Sequence, residues 1–202
     1  MDPQQKVEAS YDCIGEQYLR TKHVNAAATL PALEKLAHDL PARGKALDLG
    51  CGAGVPITQW LAQRFAVTGV DISARQLELA RQHVPGVTLV KADMSTIDFP
   101  PGSFAVVVAF HAIIHVPRVE QPPLVSRIHR WLRPGGRFLA TWAVSAWEGE
   151  EENWEGWGAP MWWSHYDAGT NLALLRDAGF LIQSAETHTS DGESWLWILA
   201  GA

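Results

Sequence analysis

Ala46-Leu47-Asp48-Leu49-Gly50-Cys51-Gly52-Ala53-Gly54 is the stretch around which this 202-residue chain is read. Ala46 to Leu49 is a short apolar run carrying one acid, which suits a buried parallel strand. Gly50, Gly52 and Gly54 then alternate with Cys51 and Ala53. Glycines so placed let the backbone turn sharply and come close to a ligand. Val55-Pro56-Ile57 follows, with Pro56 suited to the first turn of a helix, where its missing N–H costs nothing. Strand, glycine loop and helix N-terminus together predict free backbone N–H groups facing a ligand.

The next acid at a predicted strand end is Asp71, in V-T-G-V-D-I-S, 21 residues after Gly50. Roughly 20 residues is the spacing of a carboxylate that binds ribose hydroxyls, so a nucleoside-containing cofactor is expected. The loop reads G-x-G-x-G with Val at 55, and Asp48 stands two residues before the first glycine. Both features depart from the dinucleotide fingerprint.

D-L-G-C-G-A-G followed by G-V-D-I-S resembles motif I and the acidic strand of class I S-adenosylmethionine-dependent methyltransferases that act on small molecules. The resemblance implies an α/β fold: a Rossmann-like, seven-stranded, mostly parallel sheet with one antiparallel strand and helices on both faces. It implies S-adenosylmethionine as cofactor. Gly50 and Gly52 would then meet its methionine part, Tyr18 the methionine carboxylate, Asp71 the ribose, and Asp93-Met94 the adenine. Asp48, Cys51, Ile72 and Phe110 complete the expected cofactor set. For Asp93 a turn cap is an equal reading; for Cys51, a small side chain packed under the glycine turn.

Composition agrees with a soluble globular protein. Hydrophobic residues make 47% and charged residues 19%, ordinary for such a domain. No apolar run approaches the 18 or so residues of a membrane span, and M-D-P-Q-Q-K is no signal peptide. With only Cys13 and Cys51, a disulfide framework is not expected and a reducing cytoplasm fits. The formal charge of −6 and the lack of a basic stripe argue against a nucleic-acid partner. A small-molecule acceptor, no membrane, and a monomer or homodimer are expected. The whole chain reads as a single domain: a helical cover over 1–44, a cofactor-binding core over 45–143, a Trp-rich lid over 144–166, and a C-terminal helix and hairpin over 167–202.

Val7, Tyr11, Ile14 and Tyr18 recur at helical spacing. S-Y-D-C-I-G-E-Q-Y resembles the segment that folds over cofactor and acceptor in small-molecule methyltransferases, which makes Tyr11 a substrate candidate. Simple docking of its aromatic face on the core is the other reading. A second helix is predicted from about Thr29 as N-cap, stopped by Pro41 to Gly44. Ile57, Trp60, Leu61 and Phe65 form a further helical stripe. Ser73-x-x-Gln76 reads as a capping box. Residues 103 to 110 form a wholly apolar strand, followed by His111-Ala112-Ile113-Ile114-His115-Val116-Pro117. That run resembles the small-molecule form of motif IV and lacks the tetrad of base and amide N-methyltransferases. L-R-P-G-G at 132–136 resembles the family's turn into the fifth strand.

Residues 144–166 show no clear period, yet five of the ten tryptophans fall between Trp147 and Trp163, among five glutamates. A lid over the acceptor pocket or a surface for a second subunit would each use so many rings. Asp167 or Ser164 can cap the next helix, which ends at Gly179. Asp191-Gly192 predicts a closing hairpin.

If the acceptor is a hydroxyl or thiol, a base contributes roughly 10²–10⁴ in rate. His115 leads on motif position, with His111 and His165 behind it; capping or packing the turn is the other reading for His115. Trp162 and Trp163 are further acceptor-pocket candidates. No His, Asp or Glu spacing suits a zinc or magnesium site, so no metal is expected. Three functions stand: methyl transfer to a small molecule at O, S, N or C; a cofactor-binding regulator or cyclase that transfers nothing; and, least supported, a nicotinamide enzyme.

Overall fold

The computed structural model describes residues 1–21, 26–41, 43–190 and 192–202. Its centre is β1 (Lys45–Leu49), flanked in parallel by β2 (Ala66–Asp71) and β4 (Phe104–Ala109). β3 (Thr88–Lys91) extends the sheet beyond β2, and β5 (Leu132–Ala143) extends it beyond β4, both parallel. β9 (Glu193–Gly201) runs antiparallel between β5 and the edge strand β8 (Leu181–Ser190). The order is β3-β2-β1-β4-β5-β9-β8, seven strands with one reversed, as expected.

The alternation of side chains along each strand divides the core into two layers. Leu47, Leu49, Val107 and Phe138 point to the layer covered by α5 (Gln121–Trp131) and α6 (Ala168–Asp177). Ala46, Val106, Val108 and Leu139 point to the layer covered by α2 (Ala26–Ala37) and α3 (Ile57–Ala62). Strands buried on both faces must be apolar throughout, and β4 is buried at every position. Over the carboxyl ends of the strands lie α1 (Pro3–Thr21) and a separate two-stranded sheet of β6 (Trp147–Glu151) and β7 (Met161–His165). α1 also packs on α4 (Ala74–His83).

Several local expectations are corrected. α2 starts before Thr29, which lies buried within the helix and is no N-cap. Pro56 stands just before α3 rather than within its first turn. Within the 144–166 stretch, β6 and β7 pair as an antiparallel hairpin whose connection holds Trp154 and Trp157, an order that neither the helical nor the loop template predicts. Asp167 caps α6 through Thr170 N, whereas Ser164 Oγ, in β7, donates to Glu148 and accepts from Arg118 N. The L-R-P-G-G turn is taken up inside β5 at a shift of register. β8 and β9 do pair as a hairpin, but Asp191 of its expected turn lies outside the described residues. No helix among the described residues is long and apolar enough to cross a membrane.

Candidate active site

A cavity opens where the chain crosses from one side of β1 to the other. This is the crevice at strand carboxyl ends where open α/β sheets bind ligands. Its floor comes from the residues that follow β1, β2, β3 and β4: Gly50, Gly52, Ile72, Ala92, Met94, Phe110 and His111, with Asp71 at the tip of β2.

The glycine loop works by shape. Gly50 sits at φ +72° and Gly52 at φ +53°, and a Cβ on Gly50 would stand 2.4 Å from Ala112 Cβ. Its N–H groups are not free, contrary to expectation. Gly50 and Cys51 donate to Val70 O at 2.8 and 3.0 Å, Gly52 to Asp71 Oδ2 at 2.8 Å, and Gly54 to Cys51 O at 3.0 Å. The loop therefore offers bare Cα surface where a side chain would fill the cavity, while the N–H groups of Gly50, Cys51 and Gly52 tie it to β2.

The acids differ in placement. Asp71 is 8% exposed, accepts from Gly52 N and from Ser73 N at 2.9 Å, and lines the cavity. Burial pushes its pKa up to about 6 against the pull of those N–H groups. Asp48 is buried beneath the loop, accepting from Thr58 Oγ1 at 2.6 Å, and burial raises it to about 7. It does not line the cavity, nor does Cys51, whose sulfur lies against Gly69 and whose thiol burial holds well above its usual range. Asp93 accepts from Ser95 N at 2.7 Å and from Gln4 Nε2 at 3.3 Å. It acts as a turn cap beside a shallower depression, while its neighbour Met94 faces the cavity.

The roof is α1. Tyr11 and Tyr18 meet edge to face at 5.3 Å and both line the cavity. Burial raises Tyr18 to about 12 and Tyr11 well above its usual value, so both hydroxyls keep their protons at neutral pH.

His115 ends the turn Ile113–His115 and is 5% exposed. Its Nδ1 lies 2.8 Å from Trp162 O and its Nε2 lies 3.0 Å from Tyr11 Oη. A carbonyl can only accept, so Nδ1 carries the hydrogen, Nε2 keeps its lone pair, and Tyr11 O–H donates to it. Burial lowers the pKa to about 4, which keeps the ring neutral. The buried Gln121 Nε2 donates to Val116 O at 2.8 Å and Ser164 O at 2.6 Å, stapling this turn to β7.

His111 lines the cavity at φ +50°, its N–H donating to Thr141 Oγ1 and its ring edge-on to Trp195. Trp162, Trp163 and His165 do not line it. Trp163 backs the His115 ring at 4.6 Å, Trp162 supplies its carbonyl, and His165 bonds Ser145 O at the far end of the hairpin. Sequence reasoning missed Gln4, Val7, Gln76 and Val116 as lining residues. Gln4 and Val7 continue the spacing of Tyr11 and Tyr18, so a signal existed. Gln76 was hidden by its reading as a cap. Among the described residues no three His, Cys, Asp or Glu side chains cluster as metal ligands would.

Comparison with known proteins agrees with this geometry. Residues 46–136 match the family model described as a methyltransferase domain. Phosphoethanolamine N-methyltransferase 3 of Arabidopsis thaliana is 29% identical over 157 residues, 75% of this chain and 31% of the plant protein. The 27-O-demethylrifamycin SV methyltransferase of Amycolatopsis mediterranei is 35% identical over 120 residues, 55% of this chain and 43% of that protein. The chain thus spans under half the length of these curated relatives. An S-adenosylmethionine-dependent methyltransferase from Mesorhizobium loti superposes with a TM-score of 0.69 at 25% identity, over 88% of this chain and 99% of its own.

Proposed function

We propose that this chain, whose residues 46–136 match a methyltransferase domain, is a class I S-adenosylmethionine-dependent methyltransferase and methylates a small molecule at a nucleophile bearing a proton. The observation that carries this reading is the neutral, buried His115, whose Nε2 lone pair is held towards Tyr11 at the cavity wall. When bound, the cofactor supplies a methyl group on a positively charged sulfur, and the transfer is an in-line displacement.

Gly50 and Gly52 give it room, Asp71 takes ribose hydroxyls, and Ile72, Met94 and Phe110 give the adenosyl part apolar walls. Tyr18 contacts the methionine carboxylate. Asp48 and Cys51 serve from beneath, by holding the loop. Tyr11 Oη receives the acceptor's proton as its own passes to His115 Nε2, leaving an imidazolium fixed by Trp162 O. His111 is the second candidate base. The roof of α1 and the Trp-rich hairpin forms the lid, which excludes water and holds the acceptor in place. His165, Trp162 and Trp163 support that lid rather than touch the acceptor. The two free cysteines and the charge of −6 fit a cytoplasmic protein with no nucleic-acid partner, working as a monomer or homodimer.

Incubation with methyl-labelled cofactor and a panel of phenols, alcohols, thiols and amines tests this. Labelled product is expected from wild type and a loss of roughly 10²–10⁴ in rate from His115→Gln. Tight S-adenosylhomocysteine binding with no product from any acceptor would favour the non-methylating reading.

A further inference from the structure

Among the described residues, the side-chain amide of Gln76 takes no part in the protein's own hydrogen bonding. Its backbone N–H donates to Ser73 Oγ at 3.1 Å, which is half of a capping box. The other half is absent, because Ser73 N donates to Asp71 Oδ1 instead. The side chain turns away from the cap into the cavity, where it is 2% exposed. Its Oε1 lies 3.7 Å from where a Cβ on Gly52 would stand, and its Nε2 lies 3.7 Å from where one on Gly15 of α1 would stand. Neither atom has a hydrogen-bond partner among the described residues.

Buried amides are almost always satisfied, and an exception calls for an explanation. Among the described residues, Gln121, Arg127, Trp142, Trp162 and Asn171 each leave one buried polar atom unpartnered, and none of them lines the cavity. Gln76 leaves both amide atoms unpartnered and does line it. A ligand that fits must present a donor and an acceptor side by side.

We propose that Gln76 is a further cofactor-binding residue, its amide completing the hydrogen bonds of the ribose diol; this rests on the cofactor reading above. Asp71 and Gln76 flank the same glycine, Gly52, whose N–H already goes to Asp71 Oδ2. An ionised carboxylate only accepts, so Asp71 can take a hydrogen from a hydroxyl but cannot donate to its oxygen. A diol offers two hydrogens and two oxygens. Oε1 of Gln76 receives the hydrogen Asp71 does not take, and Nε2 donates to a hydroxyl oxygen.

Calorimetric titration of wild type, Gln76→Met and Gln76→Leu with S-adenosylhomocysteine, its 2′-deoxy and 3′-deoxy analogues and its des-amino analogue tests the assignment. Both variants are expected to bind S-adenosylhomocysteine about tenfold more weakly. At least one deoxy sugar should cost wild type about tenfold and the variants little. Loss of the amino group should cost all three proteins alike. Because none of the described residues bonds this amide, both ligand-free variants should melt no lower than wild type. Variants that bind within about twofold of wild type, or deoxy analogues that cost all three equally, overturn the proposal. A penalty confined to the des-amino analogue overturns the ribose assignment. Wild type that does not bind S-adenosylhomocysteine at all brings down the cofactor reading, and this one with it.

Discussion

Asp71 and Asp48 have the same side chain and opposite surroundings, and each supports its own prediction. Asp71 stands at the cavity wall with backbone donors already on both oxygens. Asp71→Ala should weaken S-adenosylhomocysteine binding by about 1–3 kcal/mol through lost charge-assisted bonds, as read by calorimetry. An unchanged dissociation constant would contradict its role. Asp48 is buried beside Thr58 and raised from 3.8 to about 7. Between those values the folded protein holds a proton that the unfolded chain has released, so stability falls as pH rises through the window. Asp48→Asn removes that dependence while keeping an acceptor for Thr58. Its melting temperature relative to wild type should therefore climb from about pH 4 to about pH 7. Parallel melting curves across that range would show that Asp48 does not titrate there. His115, lowered to about 4, has the opposite sign: it favours folding above the usual histidine range and withdraws that support as pH falls towards 4.

At the scale of elements, the Trp-rich hairpin is held by rings rather than by its own two strands, since an isolated hairpin is marginal in water. Trp154, 7% exposed, touches Tyr11, Tyr18, Trp157 and Trp163, and so joins the hairpin to α1. Ion pairs from Lys6 to Glu150 and from Lys91 to Glu8 add contacts at the surface of the same roof, and the buried Ser10 Oγ donates to Pro160 O beneath it. Trp154→Ala should cost about 3–5 kcal/mol in urea unfolding, as large core truncations do. Amide exchange should quicken over 147–165 and α1 while the central strands keep their protection. Uniformly faster exchange would mean that the roof is not a separable unit.

For the whole molecule, ligand binding to the folded state alone raises its stability. S-adenosylhomocysteine at a hundredfold its dissociation constant adds about 2.7 kcal/mol. For a chain of this size that is a rise of roughly 5–10 °C in melting temperature. NADH should give none. A shift with NADH and none with S-adenosylhomocysteine would reverse the cofactor assignment. Both ligands would meet the same crevice, so the comparison reads the chemistry of the glycine loop and Asp71 rather than the fold.

The apolar runs, the helical stripes, the bare loop at 50–54 and the acid at 71 marked the buried strands and the glycine part of the cavity floor, while the seven-stranded order with its reversed strand followed from the family resemblance that those motifs carry and from the hairpin signal at 191–192. Those features are local: a buried parallel strand must be apolar over its own few residues, and a tight turn needs its own glycines. That α1 covers the cavity was legible from its resemblance, but how the side chains over the cavity meet one another was not, because that is decided by residues distant in sequence. His115 draws its tautomer from the carbonyl of Trp162 and its partner from Tyr11, 47 and 104 residues away. The Trp-rich stretch looked irregular because its rings fall partly on β6 and β7 and partly in the connection between them, and only the pairing of the two strands brings them together. Gln76 read as a cap because spacing along the chain cannot show which way a side chain turns. Where Ser73 N was already bonded to Asp71, tertiary packing turned the amide into the cavity.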